Sequence, residues 1–286
     1  MKTFSLPKNS TLVNLIYINI GVFLAAKLIG IVCTLFNLNS FSALSYLHLT
    51  AQINLLLKQP WSVLTYMFLH TDFFHLFFNM ICLYGFGKLF LNYFSQKQLV
   101  GLYLLGGLGA GICFIVAYNI FPYFENAVNK SFLLGASGSI MAIILAIALY
   151  IPNFEIQLLF IGKIKLKWIA MAMILISVFN TTSSNAGGEF AHIGGALIGI
   201  IYMYLYKKGK DIVSPINKLI DKITTLCKPK PKIKFSKQPK SDAFYNQQRK
   251  NDQQTLDTIL DKVKKSGYSS LSDKEKKQLF DTSNRL

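Results

Sequence analysis

The sequence is poor in the residues that staple small domains or hold metals. It has four cysteines, Cys33, Cys82, Cys113 and Cys227, set far apart and three of them within apolar runs. No disulfide framework or zinc spacing can be assembled from them. Histidines also number four. No His-Glu-x-x-His is present, and the five-residue offset of His70 and His75 does not stack on a helix, so a metalloenzyme reading is weak. Acidic residues are scarce, 13 against 30 Lys and Arg, for a formal charge of +17. That excess would suit a nucleic-acid partner, but no basic motif with interleaved aromatics occurs. Its location explains it better: residues 207–286 hold 20 Lys/Arg against 9 Asp/Glu, and ionisable residues are sparse before Tyr206. Such lysines set membrane topology and lie near anionic lipid.

Apolar residues make up 52% of the chain. Their runs predict six membrane spans at 12–36, 73–91, 99–121, 133–151, 168–179 with its flanks, and 190–206, several of them short beside the ~20 residues that cross a bilayer core. The fold class is therefore all-α, a polytopic six-helix membrane bundle with a short soluble helical tail. The first run follows a short polar stretch, is too long for a signal-peptide core and lacks a clear cleavage site, so it reads as an uncleaved span. Lys27 interrupts it near its outer end, where the side chain can snorkel to the interface. The connection 37–69 is too mixed to span and too apolar to float free, which places it partly in the interface. Lys2, Lys8, Lys88, Lys97, Lys163, Lys165, Lys167, Lys207, Lys208 and Lys210 fall at one face, and the short loops opposite carry only Lys130. Both termini are accordingly cytoplasmic, in a composition compatible with a bacterial inner membrane.

Gly135-Ala136-Ser137-Gly138 opens the fourth run. Ser137 thus falls in the first turn of a helix, where backbone N–H groups lack intrahelical partners and can face an oxyanion. Close packing of small residues is the alternative use of such a stretch. His192, in Ala191-His192-Ile193-Gly194-Gly195, begins the sixth run at a similar depth. A serine needs an adjacent base to become a nucleophile, and neutral histidine is matched to that task near pH 7. Gly195 and Gly199 form a small-residue face suited to close approach by the fourth span. His75 and Asn79, four apart on the second span, share a face and both can donate hydrogen bonds. With the Ser137 N–H they could surround the oxygen of a tetrahedral intermediate, or they could join spans by polar contacts.

These three motifs, His-x4-His-x3-Asn at 70–79, Gly-Ala-Ser-Gly at 135–138 and Ala-His-x-x-Gly at 191–195, resemble those of the rhomboid intramembrane serine proteases, in family order and over about residues 10–206. The approach from Trp61 to Asn79 is also similar. The resemblance implies Ser137 as nucleophile and His192 as general base and acid, a dyad with no carboxylate. It implies His75 and Asn79, with the Ser137 N–H, as oxyanion donors, and His70, Gly135, Gly138 and Gly195 as structural neighbours. No cofactor or metal is implied. Asp72 and Glu189 read as loop residues, and the loop 181–189, with Gly187-Gly188, as a flexible cap. Two positions depart from the family: Ser62 replaces the common arginine after the tryptophan, and Met141 replaces an aromatic four residues after the nucleophile. The implied activity is cleavage of transmembrane segments of membrane proteins near the outer face. Partners are then transmembrane substrates and the lipid bilayer. The alternative is an inactive relative that binds transmembrane helices as an adaptor. A channel or transporter would leave the three motifs unexplained.

The domain reading is 1–206 membrane domain, 207–250 basic flexible linker and 251–286 helical hairpin tail. Residues 228–249 are rich in Lys, Pro, Gln and Ser and read as disordered. Residues 255–266 have helical apolar spacing stopped by Gly267, and Ser272 with Glu275 forms a capping box ahead of Leu279-Phe280. The sequence names no partner for this tail.

Overall fold

A computed structural model describes residues 10–37, 45–158, 162–227 and 242–283. Lys2, Lys8 and most of the 228–249 stretch lie outside the described residues. The chain divides into two compact units, 1–227 and 228–286.

The first unit is built from six apolar helices: α1 (Thr11–Leu35), α2 (Phe73–Leu91), α3 (Gln96–Ile120), α4 (Ser137–Tyr150), α5 (Leu166–Phe179) and α6 (Ala186–Lys207). Four of them, α1, α2, α3 and α6, are long and apolar enough to cross a membrane, while α4 and α5 are apolar but have 14 residues each. The protein is thus a multi-pass, mainly helical membrane bundle, as its apolar runs indicate.

Local chemistry sets where the helices start. Asp72 caps α2, accepting from the His75 N–H at 2.9 Å, so it belongs to the helix terminus more than to a loop. Its carboxyl is held below the usual range, first by that N–H and then by the Thr71 hydroxyl. A Ser95/Gln98 capping box starts α3 three residues ahead of the apolar run. By contrast α4 starts at Ser137 and not at 133. Phe132 and Leu133 form strand β2, paired antiparallel with β1 (Leu49–Thr50) in the register Leu49↔Leu133. Gly135 then takes φ +122° while its N–H donates to the Tyr66 carbonyl at 2.9 Å, a conformation that only glycine adopts without strain.

Helix α4 is innermost, with every residue from Gly138 to Ala148 buried. It packs against α3 and α6. A Cβ placed on Gly195 of α6 would land on the Gly138 carbonyl, and one on Gly199 would meet the Ala142 carbonyl. These two helices therefore touch backbone to backbone.

The 37–69 connection is anchored where it is described. Leu49, Ala51, Tyr66 and Met67 are fully or almost fully buried. Trp61 Nε1 donates to the Tyr46 carbonyl at 2.8 Å, and the Tyr66 hydroxyl donates to the Gly107 carbonyl at 2.6 Å. Ser62, one of the departures, is completely buried, and the loop is held by its neighbours. Lys27 donates to the Thr71 carbonyl at 2.8 Å and lies over the Phe23 ring, which ties α1 to the start of α2.

Strands β3 (Glu155–Leu158) and β4 (Gly162–Lys165) form an antiparallel hairpin between α4 and α5. Beyond α6 the stretch read as a flexible linker carries helix α7 (Ser214–Cys227). It is fastened to the start of α3 by Gln98–Asp211 at 3.1 Å and Lys97–Asp221 at 2.6 Å. Val213, fully buried against Gly101 of α3, seats the same stretch, and none of these long-range contacts is visible in local composition. Cys33, Cys82 and Cys113 are free thiols; the Cys227 side chain lies outside the described residues.

In the second unit, α8 (Asp242–Ser266) begins earlier than the 255 expected from apolar spacing, so 242–249 is helical. It stops at Gly267, φ +76°. Helix α9 (Asp273–Ser283) follows, with Ile259 and Leu271 buried. Glu275 accepts from the Ser272 N–H at 2.7 Å and from Lys262 at 2.7 Å, and the Ser272 hydroxyl accepts from the Glu275 N–H at 3.4 Å. Phe280 is 67% exposed, so it adds less to the apolar side than its sequence position suggests. The Lys262 ammonium and the Ser272 donors pull the Glu275 carboxyl down to about 2. Because this folded value is depressed, its contribution is complete above the ordinary carboxylate range and is lost as pH falls through about 2. Amide exchange at residues 272–276 of the full chain, corrected for intrinsic rates, is expected to hold steady down to about pH 4 and accelerate below it. Acceleration already at pH 6 would show that this cap is not what holds the turn.

Candidate functional site

A cavity of about 740 Å³ opens among α2, α4, α5 and α6, and Ser137, His192, His75, Asn79, Met141 and Lys130 are among its lining residues. Ser137 is the first residue of α4, so its N–H is one of the helix's unpaired donors. Gly135 lets His75 come close: a Cβ there would lie 3.0 Å from His75 Nε2 and 3.9 Å from Ser137 Oγ. The imidazole edge and the serine hydroxyl thus converge on one point. His75 Nδ1 is 3.1 Å from Thr71 Oγ1, which orients the ring. Asn79 Nδ2 gives one hydrogen bond to the His75 carbonyl at 3.0 Å, leaving a second N–H on the same amide.

His70 is 7% exposed and stacks edge-on to His75 with centroids 5.1 Å apart. Burial, reinforced by His75, pushes its pKa down to about 4. His70 is therefore neutral near pH 7 and buttresses His75. Gly138 lies between α3 and α6, where a Cβ would collide with the Ala110 methyl and meet the Ala191 carbonyl at 3.2 Å. Met141, the second departure, is buried one turn below Ser137 and also lines the cavity.

His192 sits in the second turn of α6, since that helix begins at Ala186 and not at 190. Gly187, Gly188 and Glu189 are consequently helical and are not part of a cap loop. Glu189 in the first turn complements the helix dipole. Its carboxylate lies 3.3 Å from His192 Nδ1, and Ser177 Oγ of α5 lies 3.1 Å from the same nitrogen. Both contacts escaped the sequence reading, which gave the histidine no acidic partner. The Glu189/His192 offset of three on one helix was the available signal; nothing local pointed to Ser177. Among the described residues no hydrogen bond joins Ser137 Oγ to His192. Both line the same cavity. No cluster of three or more potential metal ligands occurs among the described residues.

Residues 57–209 match the rhomboid domain, and residues 241–285 match a family of unknown function, DUF6576. The chain is 28% identical over 159 residues to the mitochondrial RHOMBOID-like protein 12 of Arabidopsis thaliana, covering 52% of this chain and 47% of that protein. It is 30% identical over 142 residues to the human mitochondrial presenilin-associated rhomboid-like protein, covering 48% and 35%. It is 30% identical over 156 residues to rhomboid protease AarA of Providencia stuartii, covering 49% and 53%. The chain thus spans roughly a third to a half of the length of these relatives. With the rhomboid match covering more than half of this chain, and spanning the helices that carry Ser137, His192, His75 and Asn79, the protein belongs to the rhomboid family.

Proposed function

We propose that the chain is an intramembrane serine endopeptidase that cleaves transmembrane segments near the outer face. The observation that carries the reading is the convergence of Ser137, His192, His75 and Asn79 on one cavity at the N-terminal ends of α4, α6 and α2. Ser137 attacks the scissile carbonyl carbon as His192 takes its proton, and the acyl-enzyme is then hydrolysed by water with His192 as base. The Ser137 N–H, His75 and the free Asn79 N–H receive the oxyanion. A substrate helix must unwind to present an extended peptide, which favours small and helix-weakening residues at the cut. The division into a membrane domain and a separate helical tail, with both termini cytoplasmic, belongs to the same proposal. Its support is the clustering of lysines on one face. Relatives named as mitochondrial stand beside a Providencia stuartii protein, so the membrane of residence is tested by fractionation.

One observation favours the adaptor reading: Ser137 and His192 are not hydrogen-bonded. A reporter bearing a helix-destabilised transmembrane segment, tested in membranes, separates the two. Binding without cleavage across a panel of such segments selects the adaptor. If the endopeptidase reading holds, Asn79→Ala and His75→Ala should each lower kcat by about 10²–10³, the usual loss for one oxyanion donor, with little change in KM. A loss confined to KM would assign these residues to substrate binding instead.

A further inference from the structure

Resting on the proteolytic reading, the geometry points to Glu189 as the positioning residue of His192, with Ser177 as a secondary support. The evidence is a pair of contacts that converge on one atom. His192 Nδ1 has Glu189 Oε2 at 3.3 Å from one turn earlier on its own helix and Ser177 Oγ at 3.1 Å from α5. An ionised carboxylate can only accept hydrogen bonds, so Nδ1 carries the proton and Nε2 keeps the lone pair. That is the tautomer a base toward Ser137 needs. The imidazole is also braced from two helices, so its ring plane is fixed before substrate enters.

The pair is shielded enough for charge to matter. The Glu189 side chain is 13% exposed and that of His192 25%, and Ser177 is 2% exposed. When the Ser137 Oγ–H proton moves to Nε2, the new Oγ–C bond forms and the carbonyl pair moves onto oxygen. His192 is then an imidazolium beside a carboxylate that stays ionised. On collapse the Nε2 proton passes to the leaving nitrogen as the C–N bond breaks, and the pair returns to its starting charge. Attraction across a partly desolvated gap favours the charged intermediate over the resting state. The other titratable groups facing the cavity are Asp72, His75 and Cys82 at α2, Tyr118 of α3 and Lys130 before α4. Among the described residues α4 and α5 present none, and only Glu189 and Ser177 hydrogen-bond His192.

The test uses the full-length protein in liposomes, with reporter cleavage giving kcat and KM separately and the rate of Ser137 labelling by a fluorophosphonate followed in parallel. Glu189→Gln is expected to lower kcat and the labelling rate about tenfold or more and leave KM unchanged. Ser177→Ala should cost about threefold, the lower end of what loss of one neutral hydrogen bond allows. Glu189→Asp, which keeps the carboxylate, should recover most of kcat, and it carries the comparison if the glutamine variant does not accumulate. A Glu189→Gln protein with kcat and labelling rate at the parent values overturns the positioning role alone. A parent that neither cleaves nor labels overturns the proteolytic reading, and this role falls with it.

Discussion

Ser137→Ala is expected to abolish reporter cleavage, a loss of about 10⁴-fold or more, while leaving the fold intact. Its hydroxyl makes no hydrogen bond among the described residues and lies against a cavity, and Ala136 already shows that a methyl-sized side chain fits the adjacent position. Thermal unfolding in detergent should therefore be close to that of the parent. His192→Ala is expected to match it in activity but not in stability. Removing the imidazole takes the nearer charge partner from a Glu189 carboxylate that is only 13% exposed and leaves it the Ser177 hydroxyl, which is costly for a largely buried acid. Two variants with the same null activity and different melting temperatures would be the signature of a nucleophile and a base held in different surroundings. Residual cleavage by Ser137→Ala at more than about a hundredth of the parent rate would point to another nucleophile.

The second large effect concerns packing. Gly195→Val is expected to destabilise the bundle by about 3 kcal/mol or more, the upper range for overpacking a tight contact. The new side chain would occupy the position of the Gly138 carbonyl, and backbone cannot rotate away as a flexible side chain can. Separating α6 from α4 would also move His192 relative to Ser137, so activity should fall with stability. Gly30→Ala is the control, because nothing lies within 4 Å of a Cβ there; it should be neutral or slightly stabilising in a helix. Unfolding in mixed micelles reads both. A Gly195→Val protein within about 0.5 kcal/mol of the parent would mean that the helices can slide apart freely.

The bundle and its cavity were legible in the sequence because their signals are local. Apolar runs mark the helices, and Gly135-Ala136-Ser137-Gly138 and Ala191-His192 mark the ends that meet. Helix boundaries were less legible. The start of α4 depends on a pairing of Leu133 with Leu49, 84 positions away, which no window around Ser137 contains. The early start of α6 moved Glu189 from an expected loop onto the face of His192. Ser177 reaches the site only through the packing of α5 on α6. Helix α7 was hidden for the same reason: Asp211 and Asp221 look like solvated charges until Gln98 and Lys97 are brought beside them. Conversely, the Ser272/Glu275 cap was readable in full, since both partners lie within one turn.

Helix α5 has 14 residues, or about 21 Å at 1.5 Å per residue, against a hydrocarbon thickness near 30 Å. Its outer surface is apolar and open, with Met171, Leu175, Ile176 and Phe179 among the exposed residues. Lipids touching that surface must shorten to match it or leave its ends exposed to headgroups. A span drifting toward the side of Ser177 and His192 would enter a strip of thinner bilayer along α5, where an ordinary span of ~20 residues is too long for its surroundings. The surplus turn has to leave the hydrocarbon at one end. On the proteolytic reading proposed above, mismatch along α5 favours a substrate span that loosens at one end before any side chain of the cavity touches it.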